Sequence, residues 1–98
     1  MSEWYVYILR CSDGSLYTGQ TNNLESRLLA HNSGKGSKYT ASRRPVVIVY
    51  HEPAESKSAA LQRELQIKSW TKAKKIALIQ GDYDTLKKLS RCHSVHKK

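Results

Sequence analysis

Trp4-Tyr5-Val6-Tyr7-Ile8-Leu9 is an unbroken run of aromatic and branched apolar residues, the pattern of a strand covered on both faces. Asp13-Gly14 is a tight-turn signal, and Leu16-Tyr17-Thr18-Gly19-Gln20-Thr21 reads as the returning strand of a hairpin. Asn22, with Glu25 three positions on, reads as a capping box that opens a helix over 22–32. Positions 33–44 carry Lys35, Lys38, Arg43 and Arg44, two glycines and no acid, and read as a loop that Pro45 closes. Val46-Val47-Ile48-Val49-Tyr50 is a third strand. Helical periodicity then returns over 56–68, with Leu61 and Leu65 on one stripe, and over 71–80, with Ala73, Ile76 and Ala77, before Gly81 stops it. Asp82 caps a last short helix that uses Leu86 and Leu89. The order β-β-α-β-α-α-α defines an α+β domain: a three-stranded, mainly antiparallel sheet flanked by about four helices. It occupies 1–90, leaving 91–98 as a frayed basic tail.

Turn chemistry decides where two tyrosines point. A two-residue Asp13-Gly14 loop would place Tyr7 opposite Gln20 and send Tyr17 to the other face. A three-residue loop, with Gly14 left-handed in a type I turn plus bulge, places Tyr7 opposite Gly19 and Tyr17 opposite Leu9, on one face. The second register is preferred, because Gly14 suits the left-handed position and Gly19 leaves space across from Tyr7. In the first helix Leu24, Arg27, Leu28 and His31 recur at i, i+3, i+4, i+7, which puts a cation and an imidazole on the packing stripe. Glu64 falls between Leu61 and Leu65 on the inward stripe of the next long helix. A buried carboxylate needs a cation or a metal. An Arg27–Glu64 structural pair would meet that need, and so would a reactive site.

Composition adds a polyanion. Seventeen Lys plus Arg against eight Asp plus Glu give this 98-residue chain a net charge of +9. Such a surplus suits nucleic acid or an acidic surface. No apolar run approaches the ~20 residues of a spanning helix. No secretory signal is visible, and two cysteines make no disulfide framework, so a reducing cytoplasm and no membrane partner are expected. Gly34-Lys35-Gly36-Ser37-Lys38-Tyr39 lacks the spacing of a phosphate-binding P-loop. Cys92, His93 and His96 offer three candidate metal ligands without a fourth, short of a zinc site.

The ordered set Tyr5-Val6-Tyr7, Tyr17-Thr18-Gly19, Arg27, His31-Asn32 and Glu64 resembles a GIY-YIG nuclease domain over about residues 4–80. It is most similar to small stand-alone bacterial members that resemble the nuclease subunit of structure-specific endonucleases. Tyr5, Val6 and Thr18 stand where the eponymous motif has Gly, Ile and Ile, and no Asn follows Asn32. The resemblance implies hydrolysis of DNA phosphodiesters, structure-specific and linked to repair or recombination, with one Mg²⁺ or Mn²⁺ on Glu64. It implies that Arg27 binds the non-bridging phosphate oxygens and that Tyr7 takes a proton from the attacking water. Tyr17 orients that water or shares its proton, and His31 positions water or phosphate. Arg27 and the metal would favour the Tyr7 anion. Gly19, Lys35, Lys38, Arg43 and Arg44 are the expected substrate contacts, with branched DNA as substrate and a partner protein supplying specificity. The alternative is a non-catalytic basic module that binds nucleic acid through charge alone.

Overall fold

The computed structural model describes residues 3–96, with the side chains of 91–96 outside that description. The chain forms two compact units, Met1–Lys68 and Ser69–Lys98. In the first, β1 (Trp4–Arg10) is the central strand of an antiparallel sheet ordered β2-β1-β3, between β2 (Leu16–Thr21) and β3 (Val47–Ala54). Central placement explains the apolar run: Val6, Tyr7, Ile8 and Leu9 are all buried. The hairpin adopts the three-residue register. Tyr7 lies opposite Gly19 and Tyr17 opposite Leu9. Gly14 has φ +85° and donates to the Cys11 carbonyl at 2.9 Å, while Asp13 Oδ1 accepts from Ser15 N. Nothing lies near the position of a Cβ on Gly14. Gly14→Ala should therefore cost only the left-handed backbone penalty, about 1 kcal/mol in denaturant titration.

The helix α1 (Leu24–Asn32) begins one residue later than the sequence suggests. Asn23, not Asn22, is the cap, accepting from Ser26 N at 3.0 Å. Thr21 still belongs to β2, so Asn22 is spent on the connection and the cap falls to the next Asn. Positions 33–44 are not all loop: Ser37 caps a four-residue helix, α2 (Lys38–Ala41). Val46 is held outside the strand by Asn32, whose Nδ2 donates to the Val46 carbonyl at 3.0 Å and whose Oδ1 accepts from Val46 N at 2.8 Å. The strand beyond runs longer than expected, through Pro53, which an edge strand tolerates. A register shift between Ile8 and Leu9 marks a bulge on this pairing.

In α3 (Lys57–Lys68) the inward stripe is not the one expected. Leu61 and Leu65 are exposed, whereas Ala60, Glu64 and Ile67 are buried. These three also recur at i, i+4, i+7, and the small Ala60 lets the helix approach β1 and β2, where α3 packs. Glu64 stays inward on either stripe. The second unit comprises α4 (Lys72–Gln80) and α5 (Tyr83–His96). Thr71 caps α4, and Gly81 ends it at φ +70°. Ala77 and Leu78 are its buried residues, while Ala73 and Ile76 are exposed, so its stripe is rotated from the expected one. Asp82 caps α5 through Thr85 N, and the helix is longer than a short closing turn. The side chains of the expected tail, with Cys92, His93 and His96, fall outside the described residues.

Candidate active site

The hairpin register sets the floor of the site. Tyr7 and Tyr17 project from neighbouring strands to one face, and the Tyr7 ring fills the space above Gly19, where a Cβ would overlap the phenol. Helix α1 covers this face, with Leu24 and Leu28 packing against Tyr7, Leu9, Cys11 and Val46. One turn beyond Leu28, His31 is 1% exposed and meets both tyrosines edge-on, with ring centroids 5.9 Å from Tyr7 and 5.2 Å from Tyr17. Its Nε2 lies 2.9 Å from the Tyr7 hydroxyl and its Nδ1 lies 2.8 Å from Thr40 Oγ1. Gly36 backs the ring so closely that a Cβ there would overlap the imidazole. On the outer side Tyr39 stacks on Tyr17 at 5.9 Å, 24° from parallel.

Charges surround this aromatic box. Burial pushes the Tyr7 phenol well above its usual range; Tyr17 and Glu64 add to the shift, and Arg27 opposes it without prevailing. Burial likewise pushes the His31 imidazolium pKa down, and the Arg27 charge adds to that, so His31 is neutral at pH 7. Arg27 thus favours the Tyr7 anion, as expected, but among the chain's own groups desolvation of the phenol outweighs the guanidinium. Arg27 itself is half-buried. Among the described residues it makes no ion pair and no side-chain hydrogen bond, so the Arg27–Glu64 structural pair does not form. Glu64 is instead bound by Lys68 one turn on, Nζ to Oε2 at 2.8 Å, and that ammonium sits 5.8 Å from the Tyr17 ring.

The structure therefore brings Tyr7, Tyr17, Arg27, His31 and Glu64 together in the first unit. The other expected contacts are placed differently. Lys35 and Lys38 are exposed near α2. Arg43 is engaged in the fold: its Nε bonds Asp13 at 3.1 Å, its Nη1 bonds the Tyr39 carbonyl, and its guanidinium lies 4.0 Å over the Tyr39 ring. Arg44 donates to the carbonyls of Ala41 and Asn32. Gly19 is buried under Tyr7. Sequence reading missed Thr40, Gly36, Tyr39 and Lys68. Only Lys68 carried a local signal, its i, i+4 spacing from Glu64. The others act through tertiary contacts with side chains from other elements.

A hairpin with two inward tyrosines, a covering helix that supplies Arg and His, and a later helix that supplies one carboxylate define a GIY-YIG catalytic domain, and residues 3–77 match that family model. The chain belongs to the GIY-YIG family, a nuclease family. Within it, the chain is 52% identical over 80 residues to the UPF0213 protein SH2523 of Staphylococcus haemolyticus, covering 82% of this chain and 98% of that one. It is 54% identical over 76 residues to a UPF0213 protein of Bacillus pumilus, covering 78% of each. Two solution NMR structures are similar. The UPF0213 protein BH0048 from Bacillus halodurans matches with TM-score 0.52 at 42% identity, over 80% of this chain and 83% of that one. The protein EF2693 from E. faecalis matches with TM-score 0.59 at 40% identity, over 85% and 88%. Among the described residues, no helix is long and apolar enough to cross a membrane.

Proposed function

We propose that this chain is a metal-dependent endonuclease that hydrolyses DNA phosphodiester bonds at the Tyr7–Arg27–Glu64 site. The observation that carries the reading is Arg27. A half-buried guanidinium with no carboxylate partner among the described residues, its charge felt by the Tyr7 phenol and the His31 imidazole, is arranged to receive an anion from outside the chain. The planar fork of Arg suits two non-bridging phosphate oxygens better than Lys would. Tyr7 takes the proton of the attacking water while passing its own to His31 Nε2, so no standing phenolate is needed. His31 becomes imidazolium, and Tyr17, whose ring also meets His31 edge-on, orients the water. This sharpens the role of His31 from positioning to proton acceptance.

Glu64 fits a divalent metal by the chemistry of its single donor group. Described residues contain no cluster of three or more His, Cys, Asp or Glu that would make an all-protein cage. One carboxylate suits Mg²⁺ or Mn²⁺, which keep several waters and complete their shell with phosphate oxygens. When bound, such an ion supplies Lewis-acid stabilisation of charge on the leaving 3′-oxygen. Lys68 competes for the same carboxylate oxygen. Lys68→Met should therefore bind Mn²⁺ more tightly in an electron-paramagnetic-resonance titration, by up to about fivefold for a half-exposed pair.

The net charge of +9 supports DNA as the polyanion, with exposed Lys35 and Lys38 as backbone contacts beside the site. Branched DNA as the preferred form, a role in repair or recombination, and a partner protein that supplies specificity follow from the family resemblance. The test is incubation with supercoiled plasmid, single-stranded DNA and a branched junction in Mg²⁺ or Mn²⁺. Cleavage, fastest on the junction, is expected. Salt-sensitive binding with no cleavage under either metal would favour the non-catalytic module instead.

A further inference from the structure

Both ring nitrogens of buried His31 lie at hydrogen-bonding distance, but a neutral imidazole offers one donor and one acceptor. Whether Nε2 can receive the Tyr7 proton depends on which nitrogen carries hydrogen. Tyr7 cannot settle this, because a phenol donates or accepts equally well. The decision falls to Thr40, 0% exposed and 2.8 Å from Nδ1. Its hydroxyl has one proton and two further neighbours, both from Ser37. The Ser37 carbonyl at 3.3 Å can only accept, and Ser37 Oγ lies at 3.0 Å. Ser37 Oγ already accepts from Thr40 N at 3.1 Å, as the cap of α2. Donation to Ser37 leaves the Thr40 lone pairs facing Nδ1. Ser37 Oγ can also donate to Thr40, so it is the carbonyl, which only accepts, that draws the Thr40 proton; with that proton directed to Ser37, Nδ1 carries hydrogen and Nε2 is bare towards Tyr7.

We infer that Thr40 is a positioning residue that holds His31 in its Nδ1–H form, with Nε2 open to the Tyr7 proton. The inference rests on the nuclease reading for its purpose, though not for its geometry. Gly36 completes the mount: it lies so close to the imidazole that a Cβ there would overlap the ring. The proton balance closes within the named groups. Water loses a proton to Tyr7 as Tyr7 loses one to Nε2, and the Nδ1–H···Thr40–OH···Ser37 chain supports the resulting imidazolium. Thr40 touches neither substrate nor metal in this scheme.

The test is the ring ¹⁵N spectrum of His31 at neutral pH, paired with single-turnover cleavage. The wild type is expected in the Nδ1–H form. In Thr40→Val that form should lose its dominance, and the cleavage rate should fall by roughly 10- to 100-fold, the scale on which a histidine's orienting partner matters. DNA affinity should hold, and Thr40→Ser should restore both form and rate. An Nε2–H wild type, or a Thr40→Val protein that keeps the Nδ1–H form and the full rate, overturns the inference. Since the spectrum of the wild type needs neither DNA nor turnover, it decides the tautomer even if no substrate is cleaved, an outcome that would count against the nuclease reading alone.

Discussion

Replacing Arg27 with alanine is expected to lower the single-turnover cleavage rate about 10³-fold, the usual scale for removing one donor aimed at developing charge. The guanidinium's charge reaches both Tyr7 and His31, and nothing in the described fold neutralises it. Its loss should leave stability within about 0.5 kcal/mol, because no structural partner is abandoned. Affinity for DNA should change little by comparison, since the remaining cations are distributed over the surface. Arg27→Lys keeps the charge but not the fork, and should recover only part of the rate. If Arg27→Ala instead unfolds the protein in a thermal melt, its role is structural and the phosphate assignment fails.

The second large effect concerns Tyr7 and His31 together. Tyr7→Phe removes the group that accepts the water proton, and a loss of roughly 10²- to 10⁴-fold is expected. His31→Gln should cost a similar amount. The double variant should be little worse than the poorer single, because two groups passing one proton act as a unit. Additive losses would separate them and break the relay. The relay also fixes the sign of the pH dependence. His31 accepts a proton only when neutral, and its pKa lies below the ordinary histidine value because of burial and Arg27. The rate should rise with pH through that lowered pKa and level off by neutrality. Stability carries the same sign. Both folded and unfolded states hold neutral histidine above about pH 6.5; below it the unfolded state gains the proton first, so stability falls as pH drops towards the folded pKa. His31→Gln should flatten this acid limb in both rate and unfolding profiles.

The parts of the fold that could be read from sequence are those with local causes. The left-handed Gly14 selects one hairpin register, and that register alone puts Tyr7 and Tyr17 on one face. The stripe Leu24–Arg27–Leu28–His31 was legible for a similar reason: each member lies on one side of a short helix with little competition. In α3 two stripes one position apart compete. Leucines mark one and a small alanine marks the other, and only the approach to the sheet decides between them. Helix α2 is four residues long and is stabilised by contacts that no local pattern announces, above all Thr40 on His31. The roles of Arg43 and Arg44 were obscured similarly. Their charge is visible in sequence, but their partners Asp13, Tyr39, Ala41 and Asn32, 3 to 30 positions away along the chain, are brought to them only by the fold.

Glu64 provides the sharpest test of whether these groups form one reactive site. The measurement is the single-turnover cleavage rate of a branched DNA junction at saturating protein with Mn²⁺, wild type against Glu64→Ala, with junction affinity recorded by fluorescence anisotropy on the same samples. The site described here predicts cleavage by the wild type, a loss of at least about 10²-fold in the variant, and affinities within a few-fold of each other. A Glu64→Ala protein that cuts the junction as fast as the wild type would contradict it.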